Sequence, residues 1–197
     1  MPASVWWQSY AGRNIPFSIP FKLRAHGSHI WIAPASRESG RWDKLHLRGT
    51  NWAGFQSQGC VNELWKHSLE QYIAFLVHGG FNAVRLPLSA PIIMAPSFTF
   101  WANFPCGARY KGRESLAVLD DVLQHLLAAG MFVMLDIHTV TYPEKNTGLW
   151  CATGLKADGT GCTPESETIL FSAWRKLAQK YCSFPNVIMA GEQWRLS

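Results

Sequence analysis

Five residues stand where short apolar runs give out: Asn51, Trp52, Arg85, Asp136 and His138. Each alone has a plain structural reading. Asn51 suits a turn, Trp52 a lid on the core, Arg85 an ion pair, and Asp136 with His138 a satisfied buried couple. Together they carry more meaning, because arginine, aspartate and histidine are costly to bury at one rim unless each is paired. A guanidinium, a carboxylate and an imidazole in one place are groups from which hydrolytic sites are built. Asp136 and His138 are two apart, so in a strand both side chains point the same way. With His46 they would make a partial metal set, but no H-x-H or H-E-x-x-H accompanies them, and neither a metal nor a cofactor is expected.

Elements of the right kind precede each of these residues. Leu45-His46-Leu47-Arg48-Gly49 alternates and predicts a short strand just before Asn51 and Trp52. Leu69, Tyr72, Ile73, Leu76 and Val77 fall on one face of a helix over Ser68 to His78. Ser68 and Gln71 form a capping box, and Gly79-Gly80 ends the helix. Ala83-Val84-Arg85-Leu86 is a second strand, with Pro87 close behind and a loop holding Phe98, Phe100, Trp101 and Phe104 to follow. Ser115 to Ala129 reads as a second helix on a stripe of Leu116, Leu119, Leu123, Leu126 and Leu127, closed by Gly130. Met131 to Ile137 is apolar nearly throughout, as a strand covered on both faces should be. After a loop through Gly148 to Cys162, Thr163 caps a third helix that Pro164 opens, and Pro suits that position because no N–H is needed there. Val187 to Ala190 is a fourth buried strand.

Strands alternating with helices predict parallel βα units. The fold class expected is α/β of the (β/α)8 TIM-barrel type, with about the first four strands and three helices of a barrel present. A doubly wound sheet is the alternative, lowered because no G-x-G-x-x-G follows a strand. Residues 1–43 are expected to form a strand and loop segment, and residues 44–197 the partial barrel. In such folds chemistry sits at the carboxyl ends of the strands, where the five residues fall.

Composition excludes several classes. The 197 residues are 48% hydrophobic and 16% charged, which is globular rather than disordered. The net charge is +5, but the basic residues are scattered; Arg109, Lys111 and Arg113 form the densest group and read as a solvated loop. A nucleic-acid partner wants a concentrated basic face, so none is expected. No apolar run reaches the ~18 residues of a membrane span, and the first residues do not read as a secretory signal. The five cysteines, Cys60, Cys106, Cys151, Cys162 and Cys182, include no C-x-x-C. Cys151 and Cys162 bracket a glycine-rich loop and can close a short disulfide; an odd count leaves one cysteine over.

Four segments in order carry a family resemblance. Leu47-Arg48-Gly49-Thr50-Asn51-Trp52-Ala53-Gly54-Phe55 resembles the first strand of the family 5 glycoside hydrolases, the cellulase family. Gly80-Phe81-Asn82-Ala83-Val84-Arg85-Leu86-Pro87 resembles its second strand and Met134-Leu135-Asp136-Ile137-His138 its third. Leu177-Ala178-Gln179-Lys180-Tyr181, then Pro185-Asn186-Val187-Ile188, resembles the approach to its fourth. The resemblance runs from about Leu45 to Ala190. It implies a retaining β-glycanase that uses two carboxyl groups ~5 to 5.5 Å apart, one as acid/base and one as nucleophile. It implies that Arg85 orients the nucleophile, that His138 touches the sugar, and that Asn51 lies in the substrate site. Trp52, Trp101 and Trp150 are expected as sugar-stacking platforms, a β-glycan as the partner, and the extracellular space as the location.

The family pattern continues Asp-Leu-x-Asn-Glu-Pro after the fourth strand, with the Glu as acid/base. Aligned without a gap, these positions are Gly191 to Leu196, so Arg195 stands at the acid/base and Trp194 at its Asn neighbour. The nucleophile strand falls after Ser197. Glu192 is three positions early and of opposite strand parity. The expectation is a chain inactive by itself, with a non-catalytic carbohydrate-binding half-barrel as the alternative.

Overall fold

A computed structural model describes residues 8–10, 13–15, 21–34, 42–95, 106–140 and 163–192. Near the start, β1 (Gln8–Tyr10) and β2 (Arg13–Ile15) pair antiparallel. Next, β3 (Phe21–His26) and β4 (His29–Pro34) form a hairpin that turns at Gly27, where φ is +59°, and β5 (Asp43–Lys44) joins its far edge. The remaining elements are β6 (Gly49–Asn51), α1 (Phe55–Gln58), α2 (Leu69–His78), β7 (Ala83–Ser89), α3 (Ala90–Met94), α4 (Ser115–Ala128), β8 (Phe132–Thr139), α5 (Pro164–Tyr181) and β9 (Val187–Glu192). A single 3-10 turn, Ala108–Tyr110, precedes α4.

The strands β6, β7, β8 and β9 lie side by side in sequence order, all parallel, with α2, α4 and α5 as the connecting helices. This is the first half of a (β/α)8 barrel. Val84, Leu86, Leu88, Val133, Leu135 and Ile137 project from β7 and β8 into the main core, which also takes up Leu69, Ile73, Leu119, Leu123, Leu126 and Leu177 from the helices. Each such side chain stabilises the fold by roughly 1.5–3 kcal/mol relative to exposure.

Helix α2 starts as its sequence dictates: the Ser68 hydroxyl accepts from the Gln71 amide at 3.2 Å, and the Gln71 side chain accepts from the Ser68 amide at 2.9 Å. Asn186 does unexpected work at the foot of β9. Fully buried, its amide donates to the carbonyls of Leu123 and Met131, each at 3.3 Å, and so ties α4 to the entry of β8.

Two expectations need correcting. The first barrel strand is Gly49–Asn51, not Leu45 to Gly49. The cause is Asn82, whose side-chain oxygen accepts from the Arg48 amide at 2.7 Å and whose side-chain nitrogen donates to the His46 carbonyl at 2.8 Å. One carboxamide thus takes the hydrogen bonds that a ladder would have made. The second strand also runs on through Pro87 to Ser89 and passes directly into α3, where a loop was expected.

Cys60 and Cys106 form a disulfide with Cα atoms 5.9 Å apart, and Cys182 is free and exposed. Cys151 and Cys162 lie outside the described residues. Arg109 is no free solvated cation: it pairs with Glu70 at 2.5 Å and Asp121 at 2.9 Å. Among the described residues no helix is long and apolar enough to cross a membrane.

Candidate active site

Four of the five expected residues, Asn51, Arg85, Asp136 and His138, meet at the carboxyl ends of β6, β7 and β8, with Asp136 as the hub of Arg85 and His138. Register does the first part of the work. Asn51 is the partner of Arg85 across β6 and β7, and Asp136 lies beside Pro87, two residues further along. Two Arg85 nitrogens then reach in different directions. Nη1 donates to Asn51 Oδ1 at 3.1 Å, and Nη2 to Asp136 Oδ2 at 2.5 Å. His138 Nδ1 stands 3.2 Å from the same Oδ2 and 3.3 Å from Arg85 Nη2.

The ladder between β7 and β8 breaks here. Leu88 pairs with Ile137 and Ser89 with Thr139, so His138 is passed over. A bulge of this kind re-aims a side chain at the end of a strand. Burial grades the cluster: the Asp136 side chain is 2% exposed, while those of His138 and Arg85 are 22% and 29% exposed. Burial pushes the Asp136 carboxyl upward from its ordinary value, and the Arg85 and His138 charges pull the other way. The result is a polar rim whose anionic base is sealed and whose cationic fork and imidazole reach solvent.

Trp52 does not fit its expected role as a platform. It is 9% exposed and packs in the core, its ring 5.7 Å from that of Tyr72, so no open face is offered to a sugar. Trp101, Trp150, Trp194 and Arg195 lie outside the described residues. Glu192 shares register with Ile137, and Gly191 with Asp136. Among the described residues no three His, Cys, Asp or Glu side chains are grouped to hold a metal ion.

The sequence reading passed over Trp65, on the loop that follows β6. Its side chain is 59% exposed, and Lys66 Nζ lies 4.9 Å from its ring centre. It lines a groove of about 290 Å³ with His67, Ser68, Cys106 and Arg109. A tryptophan between Glu63 and Lys66, just before a helix cap and outside any apolar stripe, was the available signal. The loop is held by Gly54, at φ +132°, where a Cβ would stand 2.2 Å from the Cys60 carbonyl oxygen.

Residues 44–191 match the profile of the cellulase family, glycosyl hydrolase family 5. The major extracellular endoglucanase of Xanthomonas campestris pv. campestris is 33% identical over 96 residues, which are 48% of this chain and 20% of that protein. An endoglucanase of Paenibacillus polymyxa is 25% identical over 154 residues, 78% of this chain and 36% of that protein. Among solved structures, an endocellulase of Pyrococcus horikoshii in complex with cellotetraose superposes with a TM-score of 0.70 at 24% identity, covering 87% of this chain and 42% of that one. The catalytic domain of the Xanthomonas endoglucanase gives 0.61 at 27% identity, covering 81% and 42%. The chain thus spans less than half the length of each.

Proposed function

The chain belongs to glycosyl hydrolase family 5, the cellulase family, and on that footing we propose that its described residues build the first half of a β-glycan-cleaving site. The observation that carries the reading is the Arg85 fork, held between Asn51 and Asp136 at the carboxyl ends of parallel strands. In retaining hydrolysis a nucleophilic carboxylate must be ionised and aimed at the anomeric carbon, and a second carboxyl must protonate the leaving oxygen. A guanidinium is permanently charged and binds carboxylates in a fixed geometry, which suits Arg85 to orient the nucleophile. His138, beside it and open to solvent, suits contact with a sugar hydroxyl. The substrate class is β-1,4-glucan or a related polysaccharide.

On this reading neither working carboxyl is assigned to a described residue. Asp136 is engaged by Arg85 and His138, and Glu192 lies in register with a core isoleucine. The 197-residue polypeptide by itself is therefore expected to give no turnover. The assay is release of the aryl group from an aryl β-cellobioside, with Arg85→Ala as control. Turnover above that control and abolished by Glu192→Gln would overturn the expectation and make Glu192 the acid.

A second reading, glycan binding without cleavage, is favoured by Trp65. An exposed indole beside a groove of mixed polarity suits stacking on a sugar ring. Affinity electrophoresis in cellulose and mannan derivatives tests it: retardation lost in Trp65→Ala supports it, and none on any β-glycan sinks it. Export is part of the reading, supported by the name of the Xanthomonas relative and by the Cys60–Cys106 bridge, since disulfides persist in oxidising compartments.

A further inference from the structure

We propose that the 197-residue chain pairs with a second copy of itself, edge to edge, so that two four-stranded halves close one eight-stranded parallel barrel. The pairing does not depend on the glycan reading.

Among the described residues the sheet β6-β7-β8-β9 has two free edges, one at β6 and one at β9. A free edge presents a row of N–H and C=O groups that another strand can take up. The four strands all run the same way, and a parallel barrel of this class closes at eight. A two-fold axis along the barrel preserves strand direction. It therefore sets β9 of each copy parallel to β6 of the other, and neither copy keeps a free edge.

The outer helices are dressed for the same contact. Helix α5 is tied to its neighbours along one flank: Lys180 pairs with Asp120 of α4 at 2.9 Å, and Lys176 donates to the Ile93 carbonyl of α3 at 2.6 Å. At about 100° per residue, the opposite flank carries Phe171, Ala178 and Cys182, with Trp174 between that flank and the core. Phe171 is 57% exposed. Between this flank and β9 runs an apolar groove of about 270 Å³, lined by Trp174, Ala178, Cys182, Val187 and Ile188. Helix α2 is tied to α4 by Glu70, which meets His125 at 3.1 Å. Phe75, five positions on, is turned about 140° from Glu70 and is 72% exposed.

Single exposed apolar residues are ordinary on a protein surface. These two stand on the flanks turned away from α4, each beside a free strand edge. Closure lays α2 of one copy against α5 of the other, and Phe75 is the side chain that α2 offers to the groove. A second copy fits better than an unrelated partner, because each chain carries both halves of the contact. The groove and the β9 edge lie on one side, Phe75 and the β6 edge on the other. A contact that forms once then forms twice, and the two-fold closes. The carboxyl ends of all eight strands share one mouth, which carries two sets of Arg85, Asp136 and His138.

The measurement is sedimentation equilibrium of the 197-residue chain over a concentration series. The expected species is a dimer. Phe75→Asp and Phe171→Asp, both at exposed positions, are each expected to weaken it about thirtyfold, the size of a central interface residue, with the far-UV circular dichroism spectrum unchanged. Ala178→Arg, on the same α5 flank, replaces Phe171→Asp if that variant loses its helical signal. Mixing the α2 and α5 variants is the sharper measurement. A mixed pair keeps one contact intact and places both lesions in the other, so the mixture should dimerise more tightly than either variant alone. A wild-type chain that stays monomeric throughout the series overturns the proposal without any variant needing to fold. A dimer that no substitution weakens, or a mixture no tighter than its parents, overturns it as well. Mass that climbs past two copies shows open end-to-end pairing and overturns the closed barrel.

Discussion

The two ends of the same strands make opposite environments on one face of one sheet. At the amino end, Ala83 and Phe132 pack with Ile32 and Leu45, with Phe21 and Ile30 of the hairpin closing over them. Two residues along β7 the face carries Arg85, and four to six residues along β8 it carries Asp136 and His138. Parity is shared, since Ala83 pairs with Phe132 and Arg85 with Met134. Apart from the skipped pair at His138 the ladder is the same at both ends; what covers them differs. The β3–β4 hairpin removes water from the lower end, so apolar side chains pay their way there by burial. At the upper end Arg85 and His138 stay partly hydrated above the buried Asp136. Apolar packing is concentrated at one end and the charged side chains at the other.

Breaking the lower end should have the larger effect on stability. Phe132 is fully buried, with its ring 5.6 Å edge-on from Phe21. Phe132→Ala is expected to cost about 3–5 kcal/mol in denaturant unfolding. A loss below about 1 kcal/mol would mean that the hairpin collapses into the space and that the lower end is no rigid plug. Next in size is the bridge that braces the loop after β6. Cys60 and Cys106 are 46 residues apart, and closing such a loop restricts the unfolded chain. The double change of both cysteines to serine is expected to cost about 2–4 kcal/mol. Equal melting curves with and without reductant would show that the loop is held by packing alone.

The rim should respond differently. Arg85→Leu leaves Asp136 buried without its cation, at a cost of about 2 kcal/mol at neutral pH. The cost has a pH signature. Without Arg85 the folded-state pKa of Asp136 rises further, so the native state favours the protonated form. A carboxyl whose pKa is raised on folding is least harmful below its unfolded value and increasingly destabilising as pH rises through its folded value. The gap between Arg85→Leu and the parent should therefore shrink on mild acidification. A gap that stays constant with pH would show that the lost energy is packing of the arginine stem rather than charge.

The same contrast explains what the sequence disclosed. Helix α2 was legible because its apolar stripe, capping serine and terminal glycines all point to one conformation. Strand β8 and the shared direction of Asp136 and His138 were legible from parity alone. The first strand was displaced because the decisive partner, Asn82, lies 34 residues beyond Arg48, and a side chain that imitates a ladder leaves no local pattern. The bridge from Cys60 to Cys106 joins positions whose proximity only the fold creates. The bulge at His138 is silent too, since no residue type at that point marks a skipped pair. Trp52 was misassigned because its place after a strand was visible, while the Tyr72 ring that helps to bury it comes from α2.

The smallest effect belongs to charges away from both ends, and it sharpens what burial does at the rim. Glu70 on α2 pairs with Arg109 at 2.5 Å, like Asp136 with Arg85, but its side chain is 51% exposed and that of Arg109 42%. The Arg109 hydrogen bond is the leading cause that holds the Glu70 carboxyl down at about 2, from an ordinary 4.5. A carboxyl lowered on folding contributes stability that is complete above its ordinary value and is lost as pH falls through its folded value. This is the reverse of the trend expected for Asp136 in Arg85→Leu. Water and salt reach the Glu70 pair, so its contribution is expected at a few tenths of a kcal/mol, as for other exposed pairs. Glu70→Gln should therefore lower the denaturant midpoint slightly at neutral pH, less in high salt, and progressively less as pH falls from about 4.5 through about 2, the value to which Glu70 is held down. A neutral-pH loss well above about 1 kcal/mol, insensitive to salt, would show that Glu70, Arg109, Asp121 and His125 act as one network. Exposure would then not be what separates these charges from those at the rim.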